Sequence, residues 1–293
     1  ILRTLTNRWF EQTFSSRLNH KNSGKILVLM QRVHDEDLSG YLMRKGGWEQ
    51  VSLSAIAERT MHFVPRQDHY RFLQGHALHE ARENLTTLQQ LRRELGSHGF
   101  AAQYLQAPVK QQGNLIQRDW LHRYTQLPVS GTRIHSWDTA IKTGSQHDYS
   151  VCTTFRLAEN TLYLESVLRE RLEYPALRKM ILELADREKP ECILLEDKAS
   201  GQSLLQELRG LCPIPLIACQ PKLDKLTRLA SVSPYFESGM VLLPEHASWL
   251  AECEEELLGF PHTRHDDIVD AISQFLGWYR QRAQQGSASL RRL

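Results

Sequence analysis

The alternation of apolar and polar positions along the chain changes near residue 132. After that point, short runs of β-branched and aromatic residues alternate with stretches of helical periodicity. The pattern predicts strands at about 133–138, 149–157 and 161–168, a helix from Pro175, a strand at 192–195, a helix at 201–208 and a strand at 214–219. Turn residues join the first three strands, so an antiparallel meander is expected, whereas strands separated by helices should run parallel.

This order of elements predicts an α/β domain with a mixed sheet flanked by helices. The order resembles that of the ribonuclease H fold, in which the first and fourth strands are neighbours. The resemblance implies that the strand at 133–138 ends beside the strand at 192–195. Residues at those two strand ends are therefore expected to lie close together.

The first 125 residues show weaker patterns. The apolar run Lys25–Met30 predicts a buried strand, and leucines between Leu85 and Leu95 share one face of a helix that should end at Gly96. Ser23-Gly24-Lys25 does not match a phosphate-binding loop, because Ile26 stands where that motif needs Ser or Thr. No other Walker A sequence occurs, so ATP hydrolysis is not expected from this chain alone.

Acidic residues occur where apolar strands end or a helix begins. They are Asp138 after the first strand, Glu196 and Asp197 after the fourth, and Asp266, Asp267 and Asp270 at the start of the last helix. A carboxylate beside an apolar core is costly unless a cation or hydrogen bonds compensate its charge. Taken singly, each cluster has another explanation as a turn residue, a helix cap or a charge that favours a helix N-terminus. If the three clusters converge, they predict a site for divalent metal.

Composition adds only broad limits. Of the 293 residues, 41% are apolar and 24% are charged, which is ordinary for a globular protein. No apolar run approaches the ~18 residues of a membrane helix and no signal peptide is visible, so a cytoplasmic protein is expected. The five cysteines lack metal-ligand spacing, which predicts free thiols. The net charge of +2 does not by itself indicate a nucleic-acid partner.

Several motifs, in order along the chain, resemble the C-terminal region of the large terminase subunit of tailed bacteriophages. The resembling segment runs from Gln31–Leu38 to Tyr279, and the matching stretches are Ser136–Ala140, Asp148–Ser150, Leu195–Gly201, Asp224–Lys225 with Arg228, Phe260–Pro261 and His265–Ala271. In that family an ATPase domain precedes a ribonuclease-H-like nuclease domain. The resemblance implies a small α-rich ATPase remnant without Walker motifs at 1–60, a linker region at 61–127, the nuclease domain at 128–283 and a flexible basic tail at 284–293.

The resemblance also implies the chemistry: a DNA endonuclease that uses two Mg²⁺ or Mn²⁺ ions to cut concatemeric viral DNA during genome packaging. Asp138 would bridge the two ions, and Glu196 and Asp266 would each complete the ligand shell of one ion. Asp267 is a further candidate catalytic residue and the open alternative to Asp266 as a metal ligand. Basic residues after the fourth and fifth strands are candidates for contacts with DNA phosphates, namely Lys198, Lys222, Lys225 and Arg228.

The partners implied are double-stranded DNA, a small terminase subunit, a portal protein and further copies of the chain on that portal, in the cytoplasm of a bacterial host. Two other functions remain open from the sequence. One is a ribonuclease-H-like nuclease of the resolvase or transposase type. The other is a remnant that binds DNA or packaging partners without turnover. Whether the gene is truncated or the chain is part of a longer one is open as well.

Overall fold

The computed structural model describes residues 2–63, 70–108, 115–139, 149–197, 199–221 and 223–290. The chain divides into two compact units, Ile1–Gln112 and Gly113–Leu293. Two candidate phosphate contacts, Lys198 and Lys222, lie outside the described residues, as does the end of the basic tail. No helix in the described part of the chain is long and apolar enough to cross a membrane.

The first unit is rich in helix. Its elements are α1 (Leu2–Trp9), a short π-helical turn (Phe10–Phe14), a 3₁₀ turn (Ser15–Arg17), α2 (Leu38–Lys45), β1 (Met61–Phe63), β2 (Tyr70–Phe72) and α3 (Leu85–Gln103). Asp37 caps α2 by accepting a hydrogen bond of 2.9 Å from the backbone N–H of Gly40. The two strands pair antiparallel. The α-rich region expected before the mixed sheet is therefore present.

The predicted strand at Lys25–Met30 is wrong. This segment has no regular secondary structure, and the side chains of Leu27 and Leu29 are 91% and 93% exposed. A strand needs hydrogen-bonded neighbours, and among the described residues of this unit the one sheet consists of β1 and β2. The apolar sequence favours a strand, but no sheet of this unit includes it.

Helix α3 follows the sequence prediction as far as Gly96. That glycine has a φ of 69° and interrupts the helix. A positive φ costs glycine little, because it has no side chain. The helix then resumes and continues to Gln103. Leu88 and Phe100, one on each side of the break, are both buried and contribute to a small apolar cluster with Ala77. The cluster explains why helix continues beyond the glycine.

The second unit contains most of the regular structure. Its elements are a 3₁₀ turn (Arg118–Trp120), β3 (His122–Tyr124), β4 (Thr132–Asp138), β5 (Ser150–Ala158), β6 (Thr161–Glu170), α4 (Tyr174–Glu188), β7 (Cys192–Glu196), α5 (Ala199–Arg209), β8 (Leu216–Cys219), α6 (Lys225–Glu237), β9 (Val241–Pro244), α7 (Leu250–Gly259) and α8 (Asp267–Leu290). The strands form a seven-stranded mixed sheet in the order β3-β9-β6-β5-β4-β7-β8. This arrangement confirms the predicted ribonuclease-H-like mixed sheet flanked by helices.

The pairing of β4 determines where the chain's acidic residues meet. Strand β4 is antiparallel to β5 on one side and parallel to β7 on the other. In the parallel pair, Trp137 lies opposite Leu195. Asp138 and Glu196 each follow by one residue, so both strands end at the same edge of the sheet.

Residues of the central strands alternate between two apolar layers. Ile134, Phe155 and Leu194 face the layer that contains α6, α7 and α8. Trp137 and Leu195 belong to the other layer, with α4 and α5. This alternation is the period-two pattern of a strand buried on both faces. In the first layer, the ring of Phe275 from α8 stacks on Phe155, with centroids 3.9 Å apart.

Replacing Phe275 by Ala should lower the free energy of unfolding by about 3–5 kcal/mol, because the change removes a ring from the centre of the core. Urea denaturation would show a lower midpoint. Leu211→Ala is the matched control, since the Leu211 side chain is 57% exposed. The control should change stability by no more than about 0.5 kcal/mol. Equal effects of the two substitutions would contradict the core position of Phe275.

Candidate functional site

Two of the candidate acids are placed by the strand pair β4 and β7. Each carboxylate follows a fully buried residue, Trp137 before Asp138 and Leu195 before Glu196. The apolar residues hold the strand ends in the core, and the acidic residues lie at the point where the chain leaves it. The sheet therefore brings Asp138 and Glu196 together, as the sequence predicted.

Helix α8 brings further acidic residues to the same edge. It packs along β4, where the hydroxyl of Ser136 donates a hydrogen bond of 2.9 Å to the backbone carbonyl of Ala271. The amide nitrogen of Gln274 donates to the Ser136 hydroxyl oxygen at 3.0 Å and to the carbonyl of Trp137 at 3.1 Å. These bonds fix the helix beside the end of β4. Its first turn, with Asp267 and Asp270, therefore lies close to Asp138.

The pKa of Asp138 reflects the closeness of these acidic residues. The pKa of its carboxyl group is raised to about 8, first by burial and then by the negative charges of Asp270, Glu196 and Asp267 in that order, against the opposing charge of Lys225. Burial is also the main cause that raises the pKa values of Asp267 and Asp270. The site thus holds more negative charge than its surroundings readily stabilise.

Two cations from α6 pair with these acids. Arg228 Nη2 lies 2.6 Å from Asp270 Oδ1, and Arg228 Nη1 lies 3.7 Å from Glu196 Oε1. Lys225 Nζ lies 2.7 Å from Asp266 Oδ2 and 2.8 Å from Asp270 Oδ2. Burial would lower the pKa of Lys225, but the hydrogen bonds to these two aspartates raise it above its ordinary value. Two candidate phosphate contacts therefore also serve as partners of the acidic cluster.

The candidate acids differ in their surroundings. Asp267 and Asp270 are among the residues whose charges act most strongly on Asp138. Asp266 instead directs its carboxylate to Lys225. Asp197 accepts a hydrogen bond of 2.9 Å from the Gln220 side chain. Asp270, one turn along α8 from Asp266, also lies within the cluster.

Sequence reasoning missed an arginine beside the acids. Arg169, at the end of β6, has one guanidinium nitrogen 3.3 Å from carboxylate oxygens of Glu252 and Glu256 and another 3.7 Å from Asp267 Oδ2. Its guanidinium also lies over the ring of Tyr149, 4.1 Å from the centroid. A run of charged residues at a strand end usually indicates a solvent-exposed edge, so the sequence carried no signal for this role.

Arg169 also lines a cavity of about 370 Å³ beside the cluster. The edge of the Tyr149 ring meets His265, with centroids 5.5 Å apart and an angle of 86° between the ring planes. His265 lies in this cavity wall with Arg264 and Glu256. Burial raises the pKa of Glu256 to about 7, although Arg169 and the N–H of Ile268 favour its charged form.

The donor atoms of the cluster suit a hard divalent cation. Carboxylate oxygens are the ligands that Mg²⁺ and Mn²⁺ prefer, and such an ion would stabilise the charged form of Asp138, which burial and the neighbouring acids disfavour. Within the described ranges, no three His, Cys, Asp or Glu side chains are already grouped so that they could hold a metal ion. Coordination by Glu196 and Asp267 would require these carboxylates to exchange their ion pairs with Arg228 and Arg169 for the metal.

Comparison with known proteins gives one family match. Residues 135–277 match the family described as "Terminase RNaseH-like domain". The matched region runs from β4 into α8 and includes Asp138, Glu196 and Asp267. No curated protein sequence matches this chain significantly.

Solved structures give a likeness in fold. The large terminase of a thermophilic bacteriophage is 13% identical, with a TM-score of 0.54 over 70% of this chain and 53% of that chain. The same large terminase in complex with ADP gives a TM-score of 0.53 over 70% and 54%, again at 13% identity. This chain thus spans about half the length of that large terminase.

The nuclease of the large terminase from thermophilic phage G20c, crystallised with bound magnesium, is 17% identical over 58% of this chain and 98% of that chain. The TM-score is 0.42. At that score the likeness supports no conclusion about this chain.

Replacing Asp138 by Asn should stabilise the protein in the presence of a chelator, increasingly so as the pH rises. The folded-state pKa is about 8 and the ordinary value is 3.8, so between these pH values unfolding releases a proton and stability falls as pH increases. Asparagine has no charge to bury and avoids that loss.

Thermal unfolding of both proteins from pH 4 to pH 9, roughly spanning the titration of the carboxyl group, would measure the effect. The gap in Tm between Asp138→Asn and wild type should widen with pH and then level off. The exposed Asp119 provides the control, because Asp119→Asn should leave the pH dependence unchanged. A gap for Asp138→Asn that is the same at every pH would contradict the raised pKa.

Proposed function

We propose that the chain cleaves DNA as the nuclease of a large terminase subunit, because residues 135–277 match the family described as "Terminase RNaseH-like domain". The observation that carries the proposal is the meeting of Asp138, Glu196, Asp267 and Asp270 at one edge of the sheet. Acidic side chains are rarely clustered beside an apolar core unless the protein binds a cation there. The reaction is hydrolysis of a phosphodiester bond, and the substrate is double-stranded DNA.

Two Mg²⁺ or Mn²⁺ ions, when bound, would activate the attacking water and stabilise the charge of the leaving 3′ oxygen. Asp138, at the centre of the cluster, would hold both ions. Glu196 and an aspartate at the start of α8 would each hold one of them. Asp267 is favoured over Asp266 as that aspartate, because the Asp266 carboxylate is directed to Lys225 whereas the charge of Asp267 acts on Asp138. Asp270 balances Arg228 and Lys225 and keeps these cations beside the site.

The cations of α6 are proposed to contact the DNA backbone. The Lys225 side chain is 46% exposed, so its ammonium group can reach a phosphate near the acidic cluster. Arg228 is more buried and stays beside Glu196 and Asp270. Lys198 and Lys222 are further candidates by sequence position. Contacts of this kind do not read bases, so cleavage should depend little on sequence.

Partner proteins would then recognise the genome. A small terminase subunit, a portal protein and further copies of this chain are the partners proposed from the family. The bacterial cytoplasm, where a phage packages its DNA, is the proposed location.

One observation favours a second function. Lys225 and Arg228 already neutralise part of the acidic cluster, as they would in a module that binds DNA without cutting it. Such a module would retain affinity for DNA and show no metal-dependent turnover. Cleavage assays distinguish it from the nuclease.

Supercoiled plasmid incubated with the wild-type protein and Mn²⁺ or Mg²⁺ should become nicked and then linear. A chelator should stop the reaction, and Asp138→Asn and Glu196→Gln should each reduce its rate by about a hundredfold or more, because each removes a metal ligand. Asp267→Asn should reduce the rate more than Asp266→Asn. Asp119→Asn, an exposed change in the same unit, should cleave like wild type. A wild-type protein that retards DNA on a gel but leaves it intact supports the binding module instead.

Lys225→Ala should weaken DNA binding in a salt-dependent way. Loss of one phosphate contact should reduce the slope of log affinity against log salt by about 1. Fluorescence anisotropy with a labelled duplex at several salt concentrations, in the presence of a chelator, measures both quantities. Lys179→Ala is the matched control, because Lys179 is 75% exposed and lies on α4, away from the acidic cluster. An unchanged slope for Lys225→Ala would remove Lys225 from the proposed DNA contacts.

A further inference from the structure

The first turn of α8 depends on an acceptor from another helix. The first N–H groups of any helix lack partners within the helix, and a side chain just before it commonly accepts from them. Asp266 precedes α8 directly, but its carboxylate accepts a hydrogen bond of 2.7 Å from Lys225. The residue next to the helix is therefore directed toward α6.

Glu256 supplies the acceptor. This residue belongs to α7, and its Oε2 accepts a hydrogen bond of 2.9 Å from the backbone N–H of Ile268. The N–H of Val269 also favours the charged form of Glu256. The Glu256 side chain is 5% exposed, so water cannot easily replace it. Ile268 lies between Asp267 and Asp270, and the cap therefore acts on the turn that carries both acids.

Arg169 forms an ion pair with Glu256. Its Nη1 lies 3.3 Å from Glu256 Oε1, and its Nη2 lies 3.7 Å from Asp267 Oδ2. The Arg169 side chain is 13% exposed and its guanidinium lies over the Tyr149 ring. A planar guanidinium constrained by an aromatic ring and by carboxylates has little freedom to move. The cap, the arginine and the start of α8 therefore form one connected group.

We propose that Glu256 is a positioning residue for the candidate metal site, because it fixes the turn of α8 that presents Asp267 and Asp270 to Asp138. Arg169 supports it by balancing its buried charge. The proposal rests on the proposed nuclease function, since it concerns the same cluster of acids. Glu256 itself contacts helix N–H groups and Arg169, whereas the ions would be held by Asp138, Asp267 and Glu196.

Two substitutions of Glu256 separate its positioning role from the effect of its negative charge. Glu256→Gln removes the negative charge but keeps an oxygen that can accept from the Ile268 N–H. Glu256→Leu removes the charge and the acceptor while keeping a similar volume. Any purely electrostatic effect on metal affinity is shared by both variants. A difference between them therefore reports the cap.

Isothermal titration calorimetry with Mn²⁺ measures the affinity, and Asp138→Asn, which lacks a central ligand, defines the background. Glu256→Leu should raise the Kd for Mn²⁺ by about tenfold or more relative to wild type, and Glu256→Gln should remain within about threefold. The Mn²⁺ concentration for half-maximal plasmid cleavage should shift in the same order. Leu177→Ala, at a buried position of α4, controls for lost stability and should leave the affinity unchanged.

The outcomes distinguish this proposal from the function on which it rests. If the wild-type protein binds Mn²⁺ through Asp138 and cleaves DNA, but Glu256→Leu and Glu256→Gln are equally impaired or both unimpaired, the positioning role is wrong and the nuclease stands. A shift of similar size in Leu177→Ala would also overturn the proposal, because lost stability alone would explain it. If wild type shows no Mn²⁺ binding that depends on Asp138, the proposed function fails and the positioning role fails with it.

Discussion

The parallel pairing of β4 with β7 is the constraint on which the candidate site depends. Trp137 and Leu195 lie opposite each other within the core, so the residues that follow them must leave the sheet at one edge. Asp138 and Glu196 are those residues. Helix α8 can bring more acids to this edge because Ser136, on the same strand as Asp138, hydrogen-bonds to its backbone.

Acids concentrated at one edge create an electrostatic problem that the surrounding elements compensate. Helix α6 contributes Lys225 and Arg228, and β6 contributes Arg169. These cations do not remove the excess, since burial and neighbouring acids still raise the pKa of Asp138 to about 8. A divalent cation at this position would relieve the remaining repulsion, and that is the physical basis for proposing metal-dependent chemistry at this edge.

The sequence predicted the elements that have long or distinctive patterns and missed those that lack them. Strands β4 to β6 have seven or more residues each, and their alternation was visible. Strands β3 and β9 have three and four residues and were not predicted, whereas β8, which also has four, was predicted from the longer run at 214–219. The segment at Lys25–Met30 was predicted as a strand from its apolar residues, but a strand also requires partners, which one local run of residues cannot reveal. The role of Glu256 was not predicted for a related reason, because it arises from contact between two helices.

The most direct test of the account is the location of bound metal. Crystals soaked in Mn²⁺, with diffraction recorded at the manganese absorption edge, would show the ions as anomalous peaks. The account predicts two peaks within coordination distance of Asp138, one also beside Glu196 and the other beside Asp267. No peak at Asp138, or peaks held by other residues, would contradict it.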